Sequence, residues 1–107
     1  AAGDPIEAIE HADDYIPVPS SMLVNGKKHF ALRVQGDSMI EDGILPLDIV
    51  VCREQKVANE GERVVALIDG QATVKFFHQI QKETMGGKEV QLRPANSKYQ
   101  PLTHWSP

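Results

Sequence analysis

Apolar residues fall in short runs along this chain, some at alternate positions, as in half-buried strands. In KHFALRVQ (28–35), Phe30, Leu32 and Val34 share one face at period two, and Gly36-Asp37 ends the run. DIVVCR (48–53) predicts a second strand and ERVVALID (62–69) a third. Asp69-Gly70 then signals a hairpin, because the tight primed turns need a positive φ that glycine adopts without strain. QATVKFFHQI (71–80) is the return strand, Gly86-Gly87 makes another turn, and KEVQLRP (88–94) predicts a further strand. Residues 1–14 are acidic and show no sustained period, so they read as an extended or loosely structured arm. YIPVPSSML (15–23) reads as a connector with a short helical turn near Ser20–Leu23. No stretch is convincingly amphipathic at helical spacing, and nothing repeats. The expectation is a mostly β, compact multi-stranded domain over 17–107, a sandwich or partly rolled barrel, preceded by an arm over 1–16.

Composition narrows the function classes. A chain of 107 residues is one domain with a modest core. With 41% apolar and 24% charged residues it is globular rather than disordered. A net charge of −4 argues against this segment gripping nucleic acid by itself, since phosphate binding needs a basic patch. No apolar run approaches the roughly 20 residues that span a bilayer, and AAGDPIEAIEHADD lacks the basic start and apolar core of a signal peptide. No membrane association is expected. The first residue is alanine rather than methionine, which predicts a processed product or an excised fragment. The single cysteine, Cys52, rules out an internal disulfide and fits a reducing, cytoplasmic compartment. Its setting in DIVVCREQ predicts a half-buried packing residue.

Candidate chemistry is sparse. His11, His29, His78 and His104 are scattered, none at ligand spacing to another or to Cys52, so neither metal nor other cofactor is expected. The pairs Asp13-Asp14 and Glu41-Asp42 fall in turns and face water. There is no glycine-rich phosphate loop and no G-x-S-x-G elbow. What remains is Ser38, in the polar turn GDSM, and Lys75, in the apolar run ATVKFF. Alternation puts Ala72, Val74 and Phe76 on one face of that strand and Thr73, Lys75 and Phe77 on the other. One reading is a solvated lysine on the outer face of a hairpin, which alternation alone favours. The other is a buried lysine whose pKa is depressed until it can serve Ser38 as a general base.

The motifs GDSMIEDGILPLDIVV, EGERVVALIDGQATVKFF and EVQLRPANSKYQPL, in that order, resemble the C-terminal domain of the LexA family of self-cleaving repressors from about Leu32 to Leu102. AAG at the start is similar to that family's Ala-Gly cleavage site, here Ala2-Gly3. The resemblance implies a self-peptidase with Ser38 as nucleophile and Lys75 as base. The backbone N–H groups at Asp37 and Ser38 would be oxyanion donors, and the arm would fold into the domain's own cleft. It also implies a winged helix-turn-helix domain ahead of Ala1, through which alone operator DNA would be bound. The activating partner would be a RecA filament on single-stranded DNA, and the full-length protein would be a homodimer. Alanine on the acyl side suits a narrow pocket beside the turn, and a tethered substrate reacts at effective molarities of roughly 10⁵ M or more.

Two departures from the family pattern stand out. Leu47, in LPLD, occupies a position where glycine is common, which predicts a differently shaped turn. The chain also stops at PLTHWSP, where the family continues into strands of the dimer interface. Other readings are a UmuD-like polymerase accessory that self-cleaves and keeps its trimmed product, a signal peptidase, and a non-catalytic β interaction module. The Ala-Gly site favours LexA over the first, and the missing membrane anchor argues against the second.

Overall fold

The computed structural model of the chain describes residues 3–11, 13–68, 70–82 and 86–106. Among these, strands dominate and fall into two four-stranded sheets. The first sheet contains β1 (Asp4–Ala8), β2 (Tyr15–Val18), β3 (His29–Arg33) and β4 (Ile49–Arg53), in the order β2-β1-β3-β4. The second is an antiparallel meander of β5 (Arg63–Ile68), β6 (Gln71–Lys82), β7 (Gly87–Arg93) and β8 (Leu102–Ser106). The mostly β architecture and the five expected strands are all present. The short turn expected near Ser20 is a 3₁₀ turn at Ser20–Met22. Asp69 lies outside the described residues, while its neighbour Gly70 carries the positive φ of 77° that a tight turn requires.

The N-terminal segment departs from a loose arm. β1 pairs antiparallel with β2 and parallel with β3, the latter through Glu7↔Phe30 and Ala8↔Ala31. Proline is tolerated because of where it falls. Pro17 sits on the edge strand β2, and Pro5 lies in the part of β1 that does not pair with β3. Ile6, Val18 and Ala31 bury their side chains together and fasten the pair to the sheet. Gly3 belongs to this arrangement, since a β-carbon there would collide with the carbonyl of Val18.

A second buried cluster joins the two sheets. Leu32 of β3, Val74 of β6 and Met39 pack together, with Val50, Cys52, Val65 and Phe76 around them. Met39 is only 1% exposed although it sits in a turn, so the residue after Ser38 is an anchor that pins that turn between the sheets. An open groove runs elsewhere between the sheets, walled by Val50 and Cys52 on one side and Val65, Phe77 and Leu92 on the other.

Candidate active site

The turn that presents Ser38 follows from three local features. Gly36 takes φ +77°, which lets the chain leave β3 in a left-handed step. The Ile40 N–H then donates to the Asp37 carbonyl at 3.3 Å, closing a β-turn across Ser38 and Met39. Buried Met39 holds the turn down and leaves Ser38 half-buried at its top.

Lys75 reaches this turn from β6. Its Nζ lies 2.9 Å from Ser38 Oγ, 2.6 Å from Thr73 Oγ1 and 3.2 Å from the Val74 carbonyl oxygen. The residue is 7% exposed, so the reading of a solvated outer-face lysine gives way to the buried one. Alternation correctly places Thr73 on the face of Lys75. What it cannot show is that the Ser38 turn, 37 residues away, covers that face.

Burial lowers the Lys75 pKa below the ordinary lysine value, and desolvation is the cause. The three contacts suit both protonation states. An ammonium has three N–H groups for three oxygens. A neutral amine has two, for Thr73 Oγ1 and the Val74 carbonyl, and its lone pair then accepts the Ser38 O–H. The geometry therefore permits proton transfer from Ser38 to Lys75 without moving either side chain.

A loop after β7 grips the same turn. The Asn96 Nδ2–H donates to the Asp37 carbonyl at 2.8 Å, and the Ala95 N–H donates to the Ser38 carbonyl at 2.8 Å. Tyr99 O–H donates to Asp37 Oδ1 at 2.5 Å, and Lys98 Nζ approaches Oδ2 at 3.1 Å. The Tyr99 hydrogen bond, then Lys98, holds the Asp37 carboxyl below the usual carboxylate range. Among the described residues, nothing accepts the Ser38 N–H. Sequence reasoning missed Asn96, Lys98 and Tyr99. The available signal was that ANSKY falls within the third motif, EVQLRPANSKYQPL, but no role was assigned to its polar residues.

A small pocket opens beside Ser38, lined by Leu32, Val34, Met39, Ala72, Thr73 and Val74. Of the expected scissile pair, Ala2 lies outside the described residues. Gly3 stands just before β1, and β1 runs parallel to β3, which leads onward to Ser38. At about 3.3 Å per residue, Gly3 lies about 16 Å behind the Ala8↔Ala31 rung, while the Ser38 turn lies ahead of it. The docked arm is thus held away from the dyad. Glu10 adds to the docking by accepting the Arg33 N–H at 3.0 Å.

Other sequence candidates take bland roles. Cys52 is half-buried, and desolvation, with a smaller push from Glu10, raises its thiol to about 11, so it packs as a neutral group. His29 is buried with both ring nitrogens engaged, by the Val24 N–H and the Lys27 carbonyl. Asp42 was expected to face water, but its side chain is largely covered and pairs bidentately with the exposed Arg63.

Leu47 corrects one expectation. It adopts φ +71°, the left-handed conformation that glycine favours, so the turn keeps its glycine-type shape despite the leucine. Hydrogen bonds from its N–H to the Val34 carbonyl and from Arg33 to its own carbonyl hold it there.

The chain is similar to known proteins over most of its length. The family described as Peptidase S24-like matches residues 1–104. The chain is 52% identical over 102 residues to the LexA repressor of Syntrophobacter fumaroxidans, covering 95% of this chain and 46% of that protein. It is 49% identical over 107 residues to the LexA repressor of Syntrophotalea carbinolica, covering 100% and 49%. With the LexA repressor of Carboxydothermus hydrogenoformans the figures are 47% over 102 residues, 95% and 48%. The chain spans about half the length of the curated relatives it matches.

Proposed function

This chain belongs to the Peptidase S24-like family, and on that premise we propose that it is the C-terminal, self-cleaving part of a LexA-type repressor. The observation that carries the reading is the 2.9 Å contact between Ser38 Oγ and a buried Lys75 whose ammonium form is disfavoured.

In the proposed reaction, neutral Lys75 takes the Ser38 proton as Oγ attacks the Ala2 carbonyl carbon. The backbone N–H groups of Asp37 and Ser38 stabilise the oxyanion. The C–N bond breaks as Lys75 returns the proton to the departing Gly3 amine, leaving Ala2 esterified to Ser38. Water, deprotonated by Lys75, then hydrolyses the ester and frees a carboxyl terminus at Ala2. The pocket beside Ser38 is small, with a mixed polar and apolar lining, and its size suits the Ala2 methyl group.

Because the arm is docked away from Ser38, cleavage requires β1 to leave its place and enter the cleft. A resting population dominated by the docked form gives slow cleavage. A partner that favours the arm-in form accelerates it by the ratio of its affinities for the two states. On this reading the partner is a RecA filament on single-stranded DNA, operator binding belongs to a separate N-terminal domain, the repressor acts as a homodimer, and the setting is the cytoplasm.

The test is mass spectrometry of the chain incubated alone at alkaline pH. Loss of Ala1-Ala2 by wild type and its absence in Ser38→Ala are expected. Equal loss in both proteins would remove Ser38 from the reaction.

A further inference from the structure

We propose that Asn96 is a positioning residue for self-cleavage, its buried amide pinning the Asp37 carbonyl so that the Ser38 N–H aims at the developing oxyanion. The inference rests on the self-peptidase reading above and adds to it the residue that orients one of its donors.

The argument starts from a single peptide plane. The Asp37 carbonyl and the Ser38 N–H belong to the same peptide group, which is trans. In a trans peptide the two point in opposite directions, so whatever fixes the carbonyl also fixes the N–H. Two donors reach this carbonyl, Asn96 Nδ2 at 2.8 Å and the Ile40 N–H at 3.3 Å. With both contacts in place the plane has little freedom to rotate. The Ser38 N–H faces away from the 96–99 loop and has no acceptor among the described residues. Hydrogen bonds to the carbonyl also polarise the peptide and strengthen that N–H as a donor.

The chemistry of Asn96 fits this task. Its Oδ1 accepts the Lys98 N–H at 3.0 Å while its Nδ2 donates to Asp37. One neighbour can only donate and the other can only accept, so the orientation of the amide is fixed and both demands need an amide side chain. Aspartate lacks the donor, and alanine lacks both groups.

Burial decides which contact of the loop matters most. Asn96 is 4% exposed. The Lys98–Asp37 pair is open to water, with side chains 66% and 32% exposed, and exposed pairs contribute little. The loop itself is anchored independently of Asn96. Its Ala95 N–H binds the Ser38 carbonyl, its Ala95 carbonyl accepts the Glu41 N–H, and Glu41 Oε2 accepts the Ser97 N–H. Replacing Asn96 therefore removes the pin while those three anchors remain.

The experiment follows self-cleavage of the full chain at Ala2-Gly3 by mass spectrometry from neutral to alkaline pH. Wild type, Asn96→Ala and Asn96→Asp are run together, with thermal unfolding of each. The midpoint of the pH profile reads the base, Lys75, and its plateau reads stabilisation of the transition state. A misaimed donor lowers the plateau by about tenfold or more in both variants. The midpoint of Asn96→Ala stays where it is in wild type. The near-isosteric Asn96→Asp serves where the alanine variant does not fold. A folded variant with a wild-type plateau overturns the proposal. So does an Asn96→Ala profile displaced along the pH axis at full height, since Asn96 would then act on the lysine. Loss of fold in both variants overturns it too, because the loop's other anchors would not be independent. A wild type that never cleaves overturns the self-peptidase reading itself, a result separate from any difference between variants.

Discussion

Lys75 Nζ stands 2.9 Å from Ser38 Oγ, and among the described residues no carboxylate shifts that lysine. Desolvation lowers its pKa, so the proton it would take from Ser38 goes to a group already short of reasons to hold a charge. The arrangement differs from a histidine held by a buried acid. Its strength as a base depends on keeping water out, and anything that lets water in returns the lysine toward its ordinary value near 10.4.

The first prediction concerns pH and stability together. The folded Lys75 pKa lies below the unfolded one, so between the two values the unfolded chain binds more protons. Stability therefore rises with pH through that window, and the cost of the buried charge applies fully below it. Self-cleavage should rise over the folded-state titration and then level off. Lys75→Met should abolish cleavage while holding or improving stability at neutral pH, since an apolar chain of similar length replaces a buried amine. Lys75→Arg should be inactive as well, because guanidinium stays protonated. Urea unfolding and cleavage rates over one pH series measure both effects. A pH-independent wild-type rate, or an active arginine variant, would exclude Lys75 as the base.

Thr73 gives a second test. Its hydroxyl, 2.6 Å from Nζ, holds the lysine and offers an oxygen to the charged form. Thr73→Val keeps the side-chain shape and removes the oxygen. The Lys75 pKa should fall further, moving the pH midpoint down, while the plateau drops by about tenfold as the amine loses a fixed orientation. A midpoint that moves up instead would mean that water replaces the lost oxygen.

Much of the fold was legible because β3 and β6 alternate, β4 and β5 are short apolar runs, and glycines follow β3, β5 and β6 at or near their ends. The pairing of β1 with β2 was not, since both strands are short and each carries a proline, directly opposite one another at Pro5↔Pro17. Local composition there reads as connector, and only burial of Ile6 against Val18 and Ala31 makes it sheet. At the site, the dyad residues could be named but not brought together. The face of β6 that carries Lys75 is covered by a turn distant in sequence, and no period encodes that contact. Leu47 hid its own conformation, because a leucine gives no hint of a positive φ.

That strained leucine makes a third prediction. A non-glycine residue in the left-handed region costs about 1–2 kcal/mol, and Leu47 is 66% exposed, so little packing would be lost on its removal. Leu47→Gly relieves the strain, while the added freedom of the unfolded chain offsets about 0.4–1 kcal/mol of the gain. The net stabilisation should be about 0.5 kcal/mol, or about 2–4 °C in Tm. Calorimetry decides it, and a lower Tm for the glycine variant would show that the leucine side chain makes up for its backbone.

The last prediction sets stability against activity. Ile6 is 6% exposed and packs with Val18 and Ala31, so it is the apolar anchor of the docked arm. Ile6→Val removes one methylene and costs about 0.5–1.5 kcal/mol at a buried site. Nearly all of that cost falls on the docked form, because the exposed arm loses no packing. If the docked form keeps Gly3 away from Ser38, weakening it by about 1 kcal/mol raises the undocked fraction about fivefold. Partner-free cleavage should then speed up by a similar factor even though the folded protein is less stable. Ordinary core damage would instead lower both quantities. Cleavage rates at one alkaline pH, measured beside urea unfolding, separate the two cases. A slower Ile6→Val variant would mean that β1 must stay in its sheet for the reaction to occur.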